Sequence, residues 1–426
     1  MTNRKFSRFH ALVLAGALAG VDPALAETGT TGGTLTIAGG ALQADNAAVW
    51  QAFLDAKRAV GPIVIVPSAS GSPDQSAASA RAALQSQGAV AEDVIVAPLA
   101  LVDDPSTPAV DEATWAENID DPELAAVLRG AAAIWFTGGD QARTTGLLLH
   151  EDGTPTPALT AIRQAQARGA SVGGTSAGAA IMSRQMILQG DALTALTGSK
   201  AGERLEVGIG LGFFQDGLVD QHFGQRARLG RLAAALLRVP EPDARIGYGI
   251  DENTALVVSD AGSARVLGAG YVAVIDARNA KLDERGDARL ALTGLVLHLL
   301  APGDRIDLSS LAIEPAAWRS PTIGAEYYDR RLLTGSGMAL AGQTLPDVLG
   351  IGLLDDKATT TIERISFGDD GLGVVYRFSQ TAAATGAWGR NPAGVAHYSI
   401  AGVAFDLLPV DVAVQPLPPV DPPSAR

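Results

Sequence analysis

The stretch GASVGGTSAGAAIMSR, residues 169–184, runs apolar, doubles its glycines at Gly173 and Gly174, and sets one serine between Thr175 and Ala177 before continuing into small helix-forming residues. A strand that breaks at a glycine-flanked turn and resumes as a helix is the junction of an α/β unit. The alternation extends upstream. LTIAGG, PIVIVPSAS, DVIVAPLAL and AAAIWFTGGD are short apolar runs, and ADNAAVWQAFLDAKRAV, PDQSAASARAALQSQG and TPALTAIRQAQARGA between them are Ala-rich and amphipathic. Strands alternating with helices predict an α/β fold: a mostly parallel sheet with helices on both faces. Runs without polar alternation, such as IVIV at 63–66, suit strands covered on both sides. Ligands in such sheets sit at the carboxyl ends of strands, so the loops TGGD and GGTSAG are where a site is expected.

At 426 residues and 47% hydrophobic, the chain can bury one large core and a second, smaller one. Arg4, Lys5 and Arg8 precede an apolar run at 11–21 and then Ala24-Leu25-Ala26, the pattern of a secretory signal over residues 1–26. That run falls short of the ~20 residues a membrane span needs. A secreted or periplasmic location is therefore expected, with no membrane partner after signal cleavage. The formal net charge is −14, and loss of the signal makes it two units more negative. An acidic surface of this kind disfavours nucleic acid. Cysteine is absent, which excludes disulfides, a thiol nucleophile and thiolate metal ligands.

After Asp251 the pattern changes to strands without long helices: TALVVSD, ARVLG, GYVAVID and LTGLVLHLL. Beyond about Ser310 come Tyr327 and Tyr328, a helix-like run to Leu340, the strand signals TTTIERISF and GLGVVYRFS, and a Pro-rich tail at 416–423. This predicts a catalytic domain over 27–310 and a small appended α+β module over 311–426.

GTSAG, residues 174–178, fits GxSxG, the nucleophile elbow, in which small neighbours allow a sharp strand-to-helix turn. The plainer reading makes Ser176 a small residue in a tight turn. A serine nucleophile needs a base. Outside the signal the histidines are His150, His222, His298 and His397. His298 lies inside the strand-like LVLHLL, His150 ends a helix, and His397 falls in the appended module. His222 follows the strand-like GLVDQ and precedes the basic, amphipathic QRARLGRLAAALLR, which places it at a strand's carboxyl end. A carboxylate should orient it. GYGIDENTALVV offers Asp251 and Glu252, whose side chains point to opposite faces if the backbone is extended. The amides of Gly139 and Ala177 suit an oxyanion hole, and Asp140 suits a helix N-cap. Arg226, Arg228 and Arg231 cluster after His222 in an otherwise acidic chain. They fit a carboxylate-bearing substrate held by bidentate contacts, or else a solvated helix face.

Together, GTSAGA, FTGGDQ, DQHFGQRARLGRL and GIDENTALVV resemble the cyanophycinases, peptidase E-like serine hydrolases of family S51. The resemblance covers roughly 34–308, and the DQHF segment with its three arginines is its specific part. It implies a sheet and elbow similar to class I glutamine amidotransferase domains, with serine in place of cysteine. It also implies Ser176 as nucleophile, His222 as general base and then acid, and Glu252 as orienting carboxylate. Substrate contacts are implied at Gln141, Asp220, Gln221, Arg226, Arg228 and Arg231. The implied substrate is cyanophycin, a poly-aspartate bearing arginine on its β-carboxyls, cleaved from the chain end to β-Asp-Arg dipeptides through an acyl-enzyme. No cofactor or metal is implied. A homodimer is compatible with the sequence. The export signal and the segment after about Ser310 depart from the compact cytoplasmic form and resemble extracellular enzymes that degrade cyanophycin left by other cells.

Three other readings compete. An α/β-hydrolase esterase orders its triad Ser, acid, His, which here requires His298 with Asp251 or Asp276. A dipeptidase of the same family would act on short aspartyl peptides. A secreted binding protein would keep the fold without turnover.

Overall fold

The apolar runs form strands β1 (Leu35–Ala38), β2 (Ile63–Val66), β3 (Val94–Val96), β4 (Ala133–Phe136) and β5 (Ser171–Thr175), hydrogen-bonded in the order β1-β5-β4-β2-β3 and all parallel. The computed structural model describes residues 32–259, 262–285, 289–331 and 344–415. The signal at 1–26, the end of the helix-like run to Leu340 and the tail at 416–423 lie outside the described residues. Crossover helices α1 (Ala47–Asp55), α2 (Pro73–Ser86), α3 (Pro122–Gly130), α4 (Gln141–Leu148) and α5 (Pro157–Ala167) connect or flank these strands. Their starts are written in the sequence. Asn46, Asp121, Asp140 and Thr156 accept first-turn N–H groups, and proline opens α2, α3 and α5.

Side-chain alternation divides each strand between two cores. Ile63, Ile65 and Trp135 meet Phe53 of α1 and Leu84 of α2 on one face, while Val64, Val66 and Ile134 meet Leu128 of α3 and Ile162 of α5 on the other. Both faces are covered, so the strands carry no polar alternation.

Past β5 the short helix α6 (Ala177–Ala180) leads to the hairpin β6 (Gln185–Gln189) and β7 (Glu206–Ile209), with α7 (Ala192–Thr197) between its strands. Strand β8 (Leu218–Gln221), helix α8 (Leu229–Leu236) and strand β9 (Ile246–Ile250) begin a second sheet, in which β8 and β9 are parallel. The chain then returns to the first sheet through β10 (Thr254–Val258), which lies antiparallel to β1, and β11 (Ser263–Gly268). It leaves again through β12 (Val272–Asp276), β13 (Lys281–Arg285) and β14 (Arg289–Leu300). Parallel pairing in the first sheet is thus confined to the half from β3 to β1. Beyond β1 the strands are joined without crossover helices, so they pair antiparallel.

Strands β15 (Arg305–Asp307) and β16 (Ile313–Glu314) finish the first sheet. The remaining strands are β17 (Ser320–Pro321), β18 (Thr361–Phe367), β19 (Leu372–Ser379), β20 (Thr385–Arg390) and β21 (Ala396–Asp411). They join the second sheet because β21 pairs with β14, β19 and β20. The described residues form one compact unit, so the segment beyond 311 is continuous with the sheet that begins at β8. Among the described residues no helix is long and apolar enough to cross a membrane.

A buried ion pair ties this segment to the first sheet. In the turn before β15, Asp304 accepts hydrogen bonds from the Ala301 and Ala316 amides, both at 2.8 Å, and from the Arg319 guanidinium, which also bonds Pro302 O at 2.9 Å. Both charged side chains are wholly buried. Removing one member strands the other in a dry interior, at a cost of about 3–5 kcal/mol. Arg319→Met should lower unfolding free energy by that amount in urea titration, and a loss below about 1 kcal/mol would show that solvent reaches the pair.

Candidate active site

The turn after β5 is drawn tight by the two glycines of GTSAG. A Cβ on Gly174 would stand 2.4 Å from Gly178 O, and one on Gly178 would stand 2.5 Å from Phe136 O. No side chain fits at either position. Between them Ser176 takes φ 55° and ψ −114°, a strained backbone that raises its hydroxyl above the sheet.

The hydroxyl meets an imidazole. Ser176 Oγ lies 2.7 Å from His222 Nε2, and His222 Nδ1 lies 2.7 Å from Glu252 Oε1. Of the two adjacent acids only Glu252 meets the histidine. Asp251 turns away and accepts the Gly224 amide at 2.9 Å and the Tyr271 amide at 3.0 Å. Ser176 leaves β5 of the first sheet, whereas His222 and Glu252 leave β8 and β9 of the second. The site therefore lies where the carboxyl ends of two sheets converge.

Three successive carbonyls at the end of β1 hold the parts together. Ala38 O accepts the Ser176 amide at 3.0 Å, Gly39 O the His222 amide at 2.7 Å, and Gly40 O the Asn253 amide at 2.8 Å. Gly40 has φ 109°, and a Cβ there would stand 2.2 Å from His222 Cε1. These residues were missed in reading the sequence. The one signal available was the doubled glycine that ends LTIAGG.

His222 is 7% exposed. Burial pushes its pKa below the ordinary histidine value; the hydrogen bond and charge of Glu252 oppose that shift, and Arg226 and Arg228 reinforce it. The ring is thus neutral at neutral pH and able to accept a proton at Nε2, with its Nδ1–H held by Glu252. Among the described residues neither the Gly139 nor the Ala177 amide has an acceptor, so both are available to an incoming oxygen. Asp140 caps α4, donated to by the Ala142 amide at 2.9 Å.

The remaining residues singled out in the sequence divide by burial. The helix after His222 begins only at Leu229, because Ala227 turns into the left-handed region at φ 51° and Arg228 N closes back on Phe223 O. Arg226 is exposed in that loop, close enough for its charge to act on His222. Arg228 bonds Gln221 through its carbonyl at 2.5 Å and through its side-chain oxygen. Arg231 is buried on α8 and grips Asp220 at 2.6 and 2.9 Å. Two guanidinium groups thus share Asp220, leaving the cluster one positive charge in excess. Gln141 is buried and donates to Ile187 O and Leu188 O, which ties α4 to β6. His298 belongs to β14, near Asp276 and Arg278, and burial lowers its pKa to about 4.

Residues 35–266 match peptidase family S51. The chain belongs to peptidase family S51. Curated S51 relatives include the cyanophycinase of Geminocystis herdmanii, 38% identical over 192 residues, which are 44% of this chain and 66% of that one. The cyanophycinase of Trichormus variabilis is 35% identical over 210 residues, 48% of this chain and 66% of that one. The matched part thus spans slightly less than two thirds of either relative. Among solved structures, a peptidase from an acI-B1 Actinobacterium is 22% identical with a TM-score of 0.44, covering 66% of this chain and 98% of that chain. Ser176, His222, Glu252 and the carbonyls of β1 all fall inside the S51 match, and most of the second sheet falls outside it.

Four outcomes follow from this geometry, each readable with a serine-directed fluorophosphonate. Gly40→Ala should slow labelling of Ser176 about 10²-fold, the scale of a ~1 Å displacement of a reacting group, without loss of the folded circular dichroism spectrum. Labelling should rise with pH through a midpoint below 6.5 as His222 loses its proton. Arg226→Gln removes a charge that lowers this pKa and should move the midpoint up. Glu252→Gln removes contributions that raise it and should move the midpoint down while slowing the reaction.

Proposed function

We propose that this chain is an exported serine exopeptidase that hydrolyses cyanophycin to β-Asp-Arg dipeptides through an acyl-enzyme. The observation that carries the reading is the unbroken hydrogen-bond chain Ser176–His222–Glu252, 2.7 Å at each step, together with the Gly139 and Ala177 amides, unpartnered among the described residues. His222 Nε2 takes the Ser176 proton as Oγ attacks the backbone carbonyl carbon of an aspartyl residue. The Gly139 and Ala177 amides donate to the oxyanion that forms, each donor typically contributing ~10² to 10³ in rate. His222 returns the proton to the leaving amine as the C–N bond breaks, which leaves an ester on Ser176. Water, deprotonated by the same nitrogen, then cleaves that ester and restores the serine hydroxyl.

Support for the substrate comes from two directions. Curated relatives of this chain are cyanophycinases. Cyanophycin carries one carboxylate and one guanidinium per unit, and the region beside the histidine offers exposed Arg226 and the Asp220 cluster with its surplus positive charge. The amino-terminal pattern at 1–26 supports export.

Incubation of the purified protein with insoluble cyanophycin should release β-Asp-Arg, detected by mass spectrometry, and Ser176→Ala should release none. Hydrolysis of short aspartyl dipeptides with the polymer left intact would reassign the chain as a dipeptidase. Inertness towards both would overturn hydrolysis altogether.

A further inference from the structure

Behind the histidine loop lies a cavity of about 850 Å³. Its near wall is Phe223, Gly224, Gln225, Arg228 and Asp251. Its far wall, Leu345, Asp347, Val348, Arg364 and Phe378, is contributed by residues beyond the S51 match. The volume lies within the ~300–1,000 Å³ range of small-molecule sites. Gln225 joins the cavity to the triad directly, since its side-chain oxygen accepts the Glu252 amide at 3.0 Å.

The lining has a definite chemistry. Phe223, Leu299, Val348 and Phe378 give apolar walls. Two carboxylates face this space. Asp251 is held by backbone amides and is paired with no cation among the described residues, and Asp347 accepts the Thr344 hydroxyl. Tyr271 lies within electrostatic reach of both. Two guanidinium groups also line it: Arg228, one of the pair that shares Asp220, and Arg364, which donates to Glu363 O at 2.9 Å and stands across from Tyr376 in the β18–β19 register. A pocket with both charge signs and apolar walls suits a zwitterion whose charges are separated by methylene groups.

We propose that this cavity is a subsite for one unit of the substrate other than the one being cleaved, a β-arginyl-aspartate whose guanidinium faces Asp251 and Asp347 and whose carboxylate faces Arg228 and Arg364. The proposal builds on cyanophycin hydrolysis at Ser176 and adds a role for the segment beyond 311. The arginyl methylenes lie along the apolar walls. A polymer engaged here and at Ser176 together is held at two points, so longer chains bind more tightly than a single dipeptide.

Calorimetry on the Ser176→Ala protein, with a short soluble oligomer of β-arginyl-aspartate as probe, tests the subsite independently of turnover. In that background Leu345→Trp, which fills the cavity, and the isosteric Asp347→Asn should each weaken binding about tenfold, or ~1.4 kcal/mol, with the melting temperature unchanged. In the Ser176 protein the same two changes should raise KM for the oligomer by a similar factor and leave kcat as it was. Undiminished binding in both variants overturns the subsite even if the polymer is hydrolysed. Weakened binding without any hydrolysis by the Ser176 protein keeps the subsite and rejects the proposed activity. A fall in kcat that tracks a fall in melting temperature, with KM unchanged, shows that the cavity residues only hold the fold, and also overturns the proposal.

Discussion

Three consecutive carbonyl oxygens at the end of one short strand fix the candidate site. Ala38, Gly39 and Gly40 accept the amides of Ser176, His222 and Asn253 in turn, so a single turn of backbone sets the positions of Ser176, His222 and the residue after Glu252. Side-chain hydrogen bonds alone would leave these groups on loops that move independently. Backbone bonds of this kind pre-position the reacting atoms, which is where much of the barrier lowering in acyl transfer originates. The requirement explains why residue 40 lacks a side chain: His222 occupies the space where one would go.

The same constraint accounts for the path of the chain. Strand β1 pairs with β5 on one side and β10 on the other, and the chain passes from the second sheet into the first through the three residues between β9 and β10. Glu252 stands in that passage, facing His222, and Asp251 beside it anchors the neighbouring loops. One acid orients the imidazole and the other holds its surroundings in place. Arg231 and Asp220 have a comparable supporting role below the histidine, where a buried charge pair with matched geometry joins β8 to α8.

Local features carried much of this into the sequence. The elbow at Ser176 was legible because its glycines are sterically required, and the parallel half of the first sheet because doubly covered strands lose their polar alternation. His222 stood out by its place at a strand's end. Asp251 and Glu252 could not be separated by pattern, since the backbone leaves extended geometry between β9 and β10 and Asn253 takes φ 51°. The function of Gly39 and Gly40 was hidden because it depends on contacts with residues far away in sequence. The pairing of β14 with β21 was hidden for the same reason; neither strand's composition names its partner. Arg231 carries the same charge as Arg226 but is buried, a difference that the helix starting at Leu229 creates and that no residue count reveals.

Division of the Ser176–His222–Glu252 chain between two sheets also bears on when in folding the site comes together. Ser176 stands at the end of a first-sheet strand and His222 at the end of a second-sheet strand, so neither sheet alone brings the two side chains together. Packing of the two sheets across their shared core is then what completes the hydrogen-bond chain, so its formation reports that the two halves have met.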